Sequence, residues 1–162
     1  MLPTGGVSQF LESFTLIFAL ALFLGGGVFW AFVAAPAVFT LAPTRELAGQ
    51  LASAMLGRFE RIAQGCLLAI AGLELLRVTE RATQAELLRA ALAGTMVALS
   101  LYSTLAIRPA IRRARASVPD LDALGSEHPS RRRLGRLHAQ AYLCLLGELL
   151  AGAFLLALLL MP

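Results

Sequence analysis

The stretch LGRLHAQAYLCLLGELLAGAFLLALLLM, from Leu134 to Met161, constrains this chain more than any other. Its apolar run is long enough to cross a bilayer as a helix, which takes about 20 residues at ~1.5 Å rise each. Glu148 sits close to its midpoint. A carboxylate at bilayer centre costs roughly 2.5–3.5 kcal/mol on insertion scales, so such a group faces other helices or a cavity. Either neighbouring helices shelter Glu148, or it stays protonated.

The rest of the chain supplies neighbours. Of the 162 residues, 58% are apolar, against about 45–50% in a soluble domain. The surplus falls in blocks at 13–40, 59–79, 85–111 and 135–161. Four spans in so short a chain predict an all-α, integral membrane four-helix bundle, forming one domain with no appended soluble module. The first block lacks a basic leader and outruns the ~7–15 residues of a signal-peptide core, so it reads as a retained span.

The basic residues are all arginine, 14 against 10 acidic residues, and eight of them lie between Arg108 and Arg136. Beside apolar segments this placement fits cytoplasmic anchoring to the bilayer better than binding of nucleic acid. The loop 112–134 is then cytoplasmic, with both termini outside, and Arg45, Arg58 and Arg61 near the first loop agree. The expected location is a bacterial inner membrane. The expected partners are the lipid bilayer and either further copies of the chain or a larger membrane complex.

Along the chain, Gly25, Gly26 and Gly27 interrupt the first span, and glycine in a membrane helix marks close approach by another helix. Pro36 predicts a kink. Phe18, Phe29, Phe32 and Phe39 share a stripe with Gly25 and Pro36 that reads as packing or lipid contact. Thr44 is placed to cap a helix over 45–57, with Leu47, Leu51, Ala54 and Met55 on one face and Arg45, Gln50 and Ser53 on the other. That segment is too short to span and predicts a short interfacial amphipathic helix between the first and second spans, bending at Gly57. In the second span, Glu74 pairs with Arg77 at i,i+3. Two prolines, a glycine and acidic residues mark VPDLDALGSEHPS as loop, with Ser130 capping the fourth span. No tandem repeat is visible.

Four pieces resemble a known family. They are FVAAPAVF (Phe32 to Phe39), AGQLASAMLGRFERI (Ala48 to Ile62), LYSTLAIRPAIRRAR (Leu101 to Arg115) and RLGRLHAQAY (Arg133 to Tyr142). Together they are similar to the small four-helix membrane proteins typified by transmembrane protein 205. The resemblance implies a four-helix membrane bundle without established biochemistry. A eukaryotic member's association with drug resistance points to export or trafficking. No catalytic residue carries over.

Chemistry is confined to a few polar groups. Glu148 shares a face with Ala141, Cys144 and Gly152, suited to a bundle interior. It could relay a proton or bind a cation, or donate one structural hydrogen bond as a protonated acid. His138, Tyr142, Arg108, Ser103, Glu60 and Gln64 should lie at similar depth and with Glu148 form a polar funnel open to the cytoplasm. The duller reading of His138, Tyr142, Tyr102 and Trp30 is an interfacial aromatic belt. Cys66 and Cys144 form no CxxC pair, and His128 and His138 are poorly placed to hold haem, so no metal or cofactor is expected. Motifs of hydrolases, metalloproteases and nucleotide-binding enzymes are missing, so the chain does not read as an enzyme. Two function classes remain. An interaction, accessory or scaffold component of the membrane needs fewer steps. A small proton- or cation-coupled transporter or export factor would use Glu148 and the cytoplasm-facing cluster.

Overall fold

A computed structural model describes residues 4–117 and 128–161. Every element among the described residues is helical: α1 (Thr4–Phe29), α2 (Ala35–Leu41), α3 (Arg45–Arg81), α4 (Gln84–Tyr102), α5 (Arg108–Ala116) and α6 (Pro129–Leu160). A π-helical segment, Trp30–Ala34, joins α1 to α2, and a second, Ser103–Ile107, joins α4 to α5. The result is four long helices, each long and apolar enough to cross a membrane: Gly6–Leu41, Arg45–Glu80, Gln84–Ala116 and Pro129–Leu160.

Both π segments have the same cause. Pro36 and Pro109 have no amide hydrogen, and their rings crowd the carbonyl four residues back. The helix accommodates this by widening one turn: Ala35 N–H donates to Trp30 O, and Arg108 N–H to Ser103 O, five residues back rather than four. The expected kink at Pro36 is therefore a widened turn that keeps the backbone bonded.

Neighbouring helices run antiparallel. α1 packs on α3 and α6, and α4 packs on the same two. Ser13 meets Arg77 while Gly26 lies against Phe59, which fixes the α1–α3 direction. The buried centre is built from Leu16, Leu20 and Phe23 of α1, Ile70 of α3, Met96 of α4 and Leu155 of α6. Close approach depends on glycine. A Cβ on Gly26 would lie 2.5 Å from the Phe59 ring, and one on Gly27 would lie 2.6 Å from Leu149. Gly152 lets α6 sit against both Leu24 and Met96. In lipid, where apolar burial drives helices together weakly, such packing carries much of the association. Phe18, Phe29, Phe32 and Phe39 are all exposed on the outer surface, as the lipid-contact reading expects.

Two local expectations differ from the structure. Residues 45–57 are not a separate interfacial helix, because α3 continues unbroken through Gly57 to Arg81. A single interior glycine weakens a helix by only about 1 kcal/mol, which an otherwise intact bond ladder tolerates. Ser130 does not cap α6. His128 does, accepting the Ser130 amide on Nδ1 at 3.3 Å, with Pro129 in the first helical position where its missing N–H costs nothing. The stretch 112–134 is helical at both ends, up to Ala116 and from Pro129 onward, and the proline, glycine and acids of 118–127 lie outside the described residues.

Thr44 caps α3 as expected, accepting from the Leu47 amide at 3.2 Å. α3 ends at Ala82, whose φ of 36° is left-handed, a conformation that costs a residue with a Cβ about 1–2 kcal/mol. Thr83 then starts α4 with a full capping box, its hydroxyl and the Glu86 carboxylate each satisfying a free amide. This short turn sets the register of α3 against α4.

Candidate functional site

Arg108 is the first residue of α5, immediately after the second π segment. Its guanidinium reaches across to α3 and forms an ion pair with Glu60. One turn further along α3, Gln64 donates from Nε2 to Thr104 Oγ1 at 3.3 Å. The antiparallel register places both pairs on one interface, and Ser103, which opens the π segment, is half-buried beside them.

Glu148 enters from α6. It is only 6% exposed, makes no hydrogen bond among the described residues, and has Arg108 within electrostatic reach. Arg108 therefore serves two carboxyl groups, and the second oxygen of Glu60 is itself buried without a hydrogen bond. Arg112, one turn on, lies within reach of Arg108 but points to the exposed surface. With both carboxyls ionised, Glu60 and Glu148 would together carry one negative charge more than the half-buried Arg108 balances. Proton or cation uptake removes that imbalance.

The structure thus brings together Glu60, Gln64, Ser103, Arg108 and Glu148. His138 and Tyr142 are exposed and do not join them. Helical phase is the reason: at ~100° per residue they sit about 80° and 120° around α6 from Glu148. Cys66 and Cys144 are buried and unpaired.

A second polar cluster lies at the opposite end of the α3–α4 interface. Glu74 is 0% exposed, with Arg77 Nη1 and Arg89 Nε each 3.5 Å from its oxygens. Arg89 continues to Glu86 at 3.8 Å, and Arg77 donates to Ser13 Oγ of α1 at 3.3 Å. Sequence reasoning found Glu74 with Arg77, which are one turn apart, and missed Arg89 and Glu86. The signal was the short turn: Ala82–Thr83 puts residues roughly equidistant from it face to face. At the start of α6, Pro129, Arg132, Arg133 and Arg136 line an open cleft of about 250 Å³.

Compared with known proteins, residues 18–118 match the family model of a domain of unknown function, DUF4149. The matched region holds Glu60, Gln64, Ser103 and Arg108, and ends before α6 and Glu148. No curated protein matches the chain, and no solved structure does.

Proposed function

The chain belongs to the DUF4149 family, and from that premise we propose a polytopic membrane protein whose work is done at Glu148, as a proton- or cation-accepting centre. The four apolar helices form a membrane-embedded bundle, with both termini outside and the arginine-rich end in the cytoplasm of a bacterial inner membrane. The observation that carries the reading is a buried Glu148 whose cation in electrostatic reach, Arg108, is already ion-paired with Glu60. Glu148 is thus placed to exchange a proton or cation with a change in the Arg108 contact, which is the elementary step of a coupled carrier. Four helices are few for a carrier, and an oligomer would complete the pathway.

The test is flux into proteoliposomes, followed with a pH-sensitive dye and with a potassium- or sodium-sensitive dye. Glu148→Gln should abolish a flux that the parent shows and Cys66→Ala keeps. Equal flux in parent and Glu148→Gln, or flux in neither, ends this reading.

A second reading, an accessory component that packs on another membrane protein, is favoured by α3. Gly65 and Gly72 are exposed there, and a Cβ at either would meet nothing within 4 Å. Outward-facing small residues admit a foreign helix at close range. Under this reading Gly65→Leu/Gly72→Leu lowers the mass of the complex extracted in mild detergent. Under the carrier reading alone the mass is unchanged.

A further inference from the structure

The two polar clusters of the bundle differ in charge balance. At the Ala82–Thr83 end, Glu74 and Glu86 face Arg77 and Arg89, two acids with two bases. Glu74 is fully buried, yet both arginines stand 3.5 Å from its oxygens, so every charge there is matched. At the other end, Glu60 and Glu148 depend on Arg108, which is ion-paired with Glu60 and in electrostatic reach of Glu148. The other groups packed about Glu148 bring no second cation. On α6, the Cys144 thiol lies one turn before it and Gly152 one turn after, with Ala151 and Leu155 also buried. α4 sets Leu99 against Gly147, Met96 of α4 and Leu24 of α1 close on Gly152, and Leu149 packs on Gly27 of α1. Arg112 of α5 lies beside Arg108, and Arg115 of α5 beside His138. No hydroxyl, Ser103 included, hydrogen-bonds the Glu148 carboxyl among the described residues, and Thr104 Oγ1 already accepts from Gln64.

These surroundings decide which positive charge the site can take. A metal cation that leaves water needs a shell of oxygens in its place. Glu148 supplies two and the apolar side chains around it supply none. Among the described residues no group of three acid, histidine or cysteine side chains could hold a metal ion. Arg108 would also stand near such an ion as a like charge. A proton meets neither obstacle. It comes from water, adds to one carboxylate oxygen, and leaves a neutral acid whose burial costs far less than that of an anion. With Glu148 neutral, Arg108 and Glu60 balance each other, as the cluster at the opposite end already does. Building on Glu148 as the accepting centre, we infer that the ion taken up there is a proton alone, for which sodium and potassium do not compete.

The experiment is infrared difference spectroscopy of the intact chain in neutral detergent, stepped in pH, which reads the C=O stretch of a protonated carboxyl. The parent should show such a band, bleaching with a single midpoint. Raising NaCl or KCl about a hundredfold, with choline chloride holding the ionic strength, should move that midpoint by less than about 0.3 pH unit. A competing cation would lower it by about one unit per tenfold rise, or about two units in all. Glu148→Gln should lack the band. Glu148→Asp should keep it at a changed frequency, which secures the assignment if the glutamine variant does not fold. No band in the parent, a band that neither replacement alters, or a midpoint that follows the salt would overturn the inference. So would a band that no pH removes, since a cargo proton must leave. The carrier reading fails separately. A salt-independent band at Glu148 without proteoliposome flux removes the carrier and leaves the proton site. Flux with a salt-following midpoint keeps the carrier and makes its cargo a metal cation.

Discussion

Replacing Arg108 by glutamine should damage the fold more than replacing either acid it serves. Removing one member of a fully buried ion pair costs about 3–5 kcal/mol. The Arg108 and Glu60 side chains keep 26% and 22% of their surface exposed, so solvent relieves part of this and about 2 kcal/mol is the expected share. Arg108 is also the cation in reach of Glu148, and stranding that second carboxyl adds about 1 kcal/mol, the desolvation cost of one unpartnered group. Arg108→Gln should therefore lose about 3 kcal/mol. Glu60→Gln, which leaves Arg108 with Glu148, should lose only about 1 kcal/mol. The double variant should fall short of the sum by at least ~1 kcal/mol, and adding Glu148→Gln to Arg108→Gln should recover about 1 kcal/mol. Reversible unfolding in mixed micelles, read by circular dichroism across the set, gives these values. Losses for Arg108→Gln and Glu60→Gln that are equal and add to within ~0.5 kcal/mol would refute the idea of a shared cation.

Four further outcomes can be measured in the same micelles. Gly26→Ala drives a methyl into the Phe59 ring and should cost about 1–3 kcal/mol. Gly25→Ala next to it meets open space and should be neutral or gain up to about 1 kcal/mol. Ala82→Gly relieves the left-handed φ of 36° and should raise stability by about 0.5–1 kcal/mol, after the entropy that glycine adds to the unfolded chain. Thr83→Ala removes the hydroxyl half of the α4 capping box and leaves the residue-83 amide donating to Glu86, and should cost about 1 kcal/mol, seen as earlier fraying of α4 by hydrogen exchange.

The four long helices were legible because each carries an apolar block longer than any soluble helix needs. The glycine triplet was legible as a contact but not in detail: Gly26 and Gly27 touch α3 and α6 while Gly25 faces open space, and only the rotation of α1 separates them. Rotation also decides the candidate site. Glu60, Gln64, Ser103 and Arg108 lie at neighbouring turns of α3 and the α4–α5 helix, with Glu148 of α6 in electrostatic reach of Arg108, a depth that can be counted from the turns. His138 and Tyr142 share the depth but not the face. Arg89 and Glu86 escaped notice because their partner Glu74 lies across the hairpin, and only the length of the Ala82–Thr83 turn aligns them. The break expected at Gly57 failed for an energetic reason, since one glycine without a proline does not stop a helix.

The two widened turns carry a consequence for how this polypeptide tolerates change. Each holds one residue more than a regular α-helix needs over the same length, so at Trp30–Ala34 and Ser103–Ile107 a single codon can be lost without rotating the flanks, at the cost of returning Pro36 or Pro109 to its clash with the carbonyl four residues back, about 3 kcal/mol. Excision there lets the turn tighten to α geometry while the flanks keep their angular phase, whereas the same loss elsewhere in a span would rotate every later side chain by about 100°. Beyond the second of these segments lies Arg108, so an altered turn there would change its reach without changing its identity.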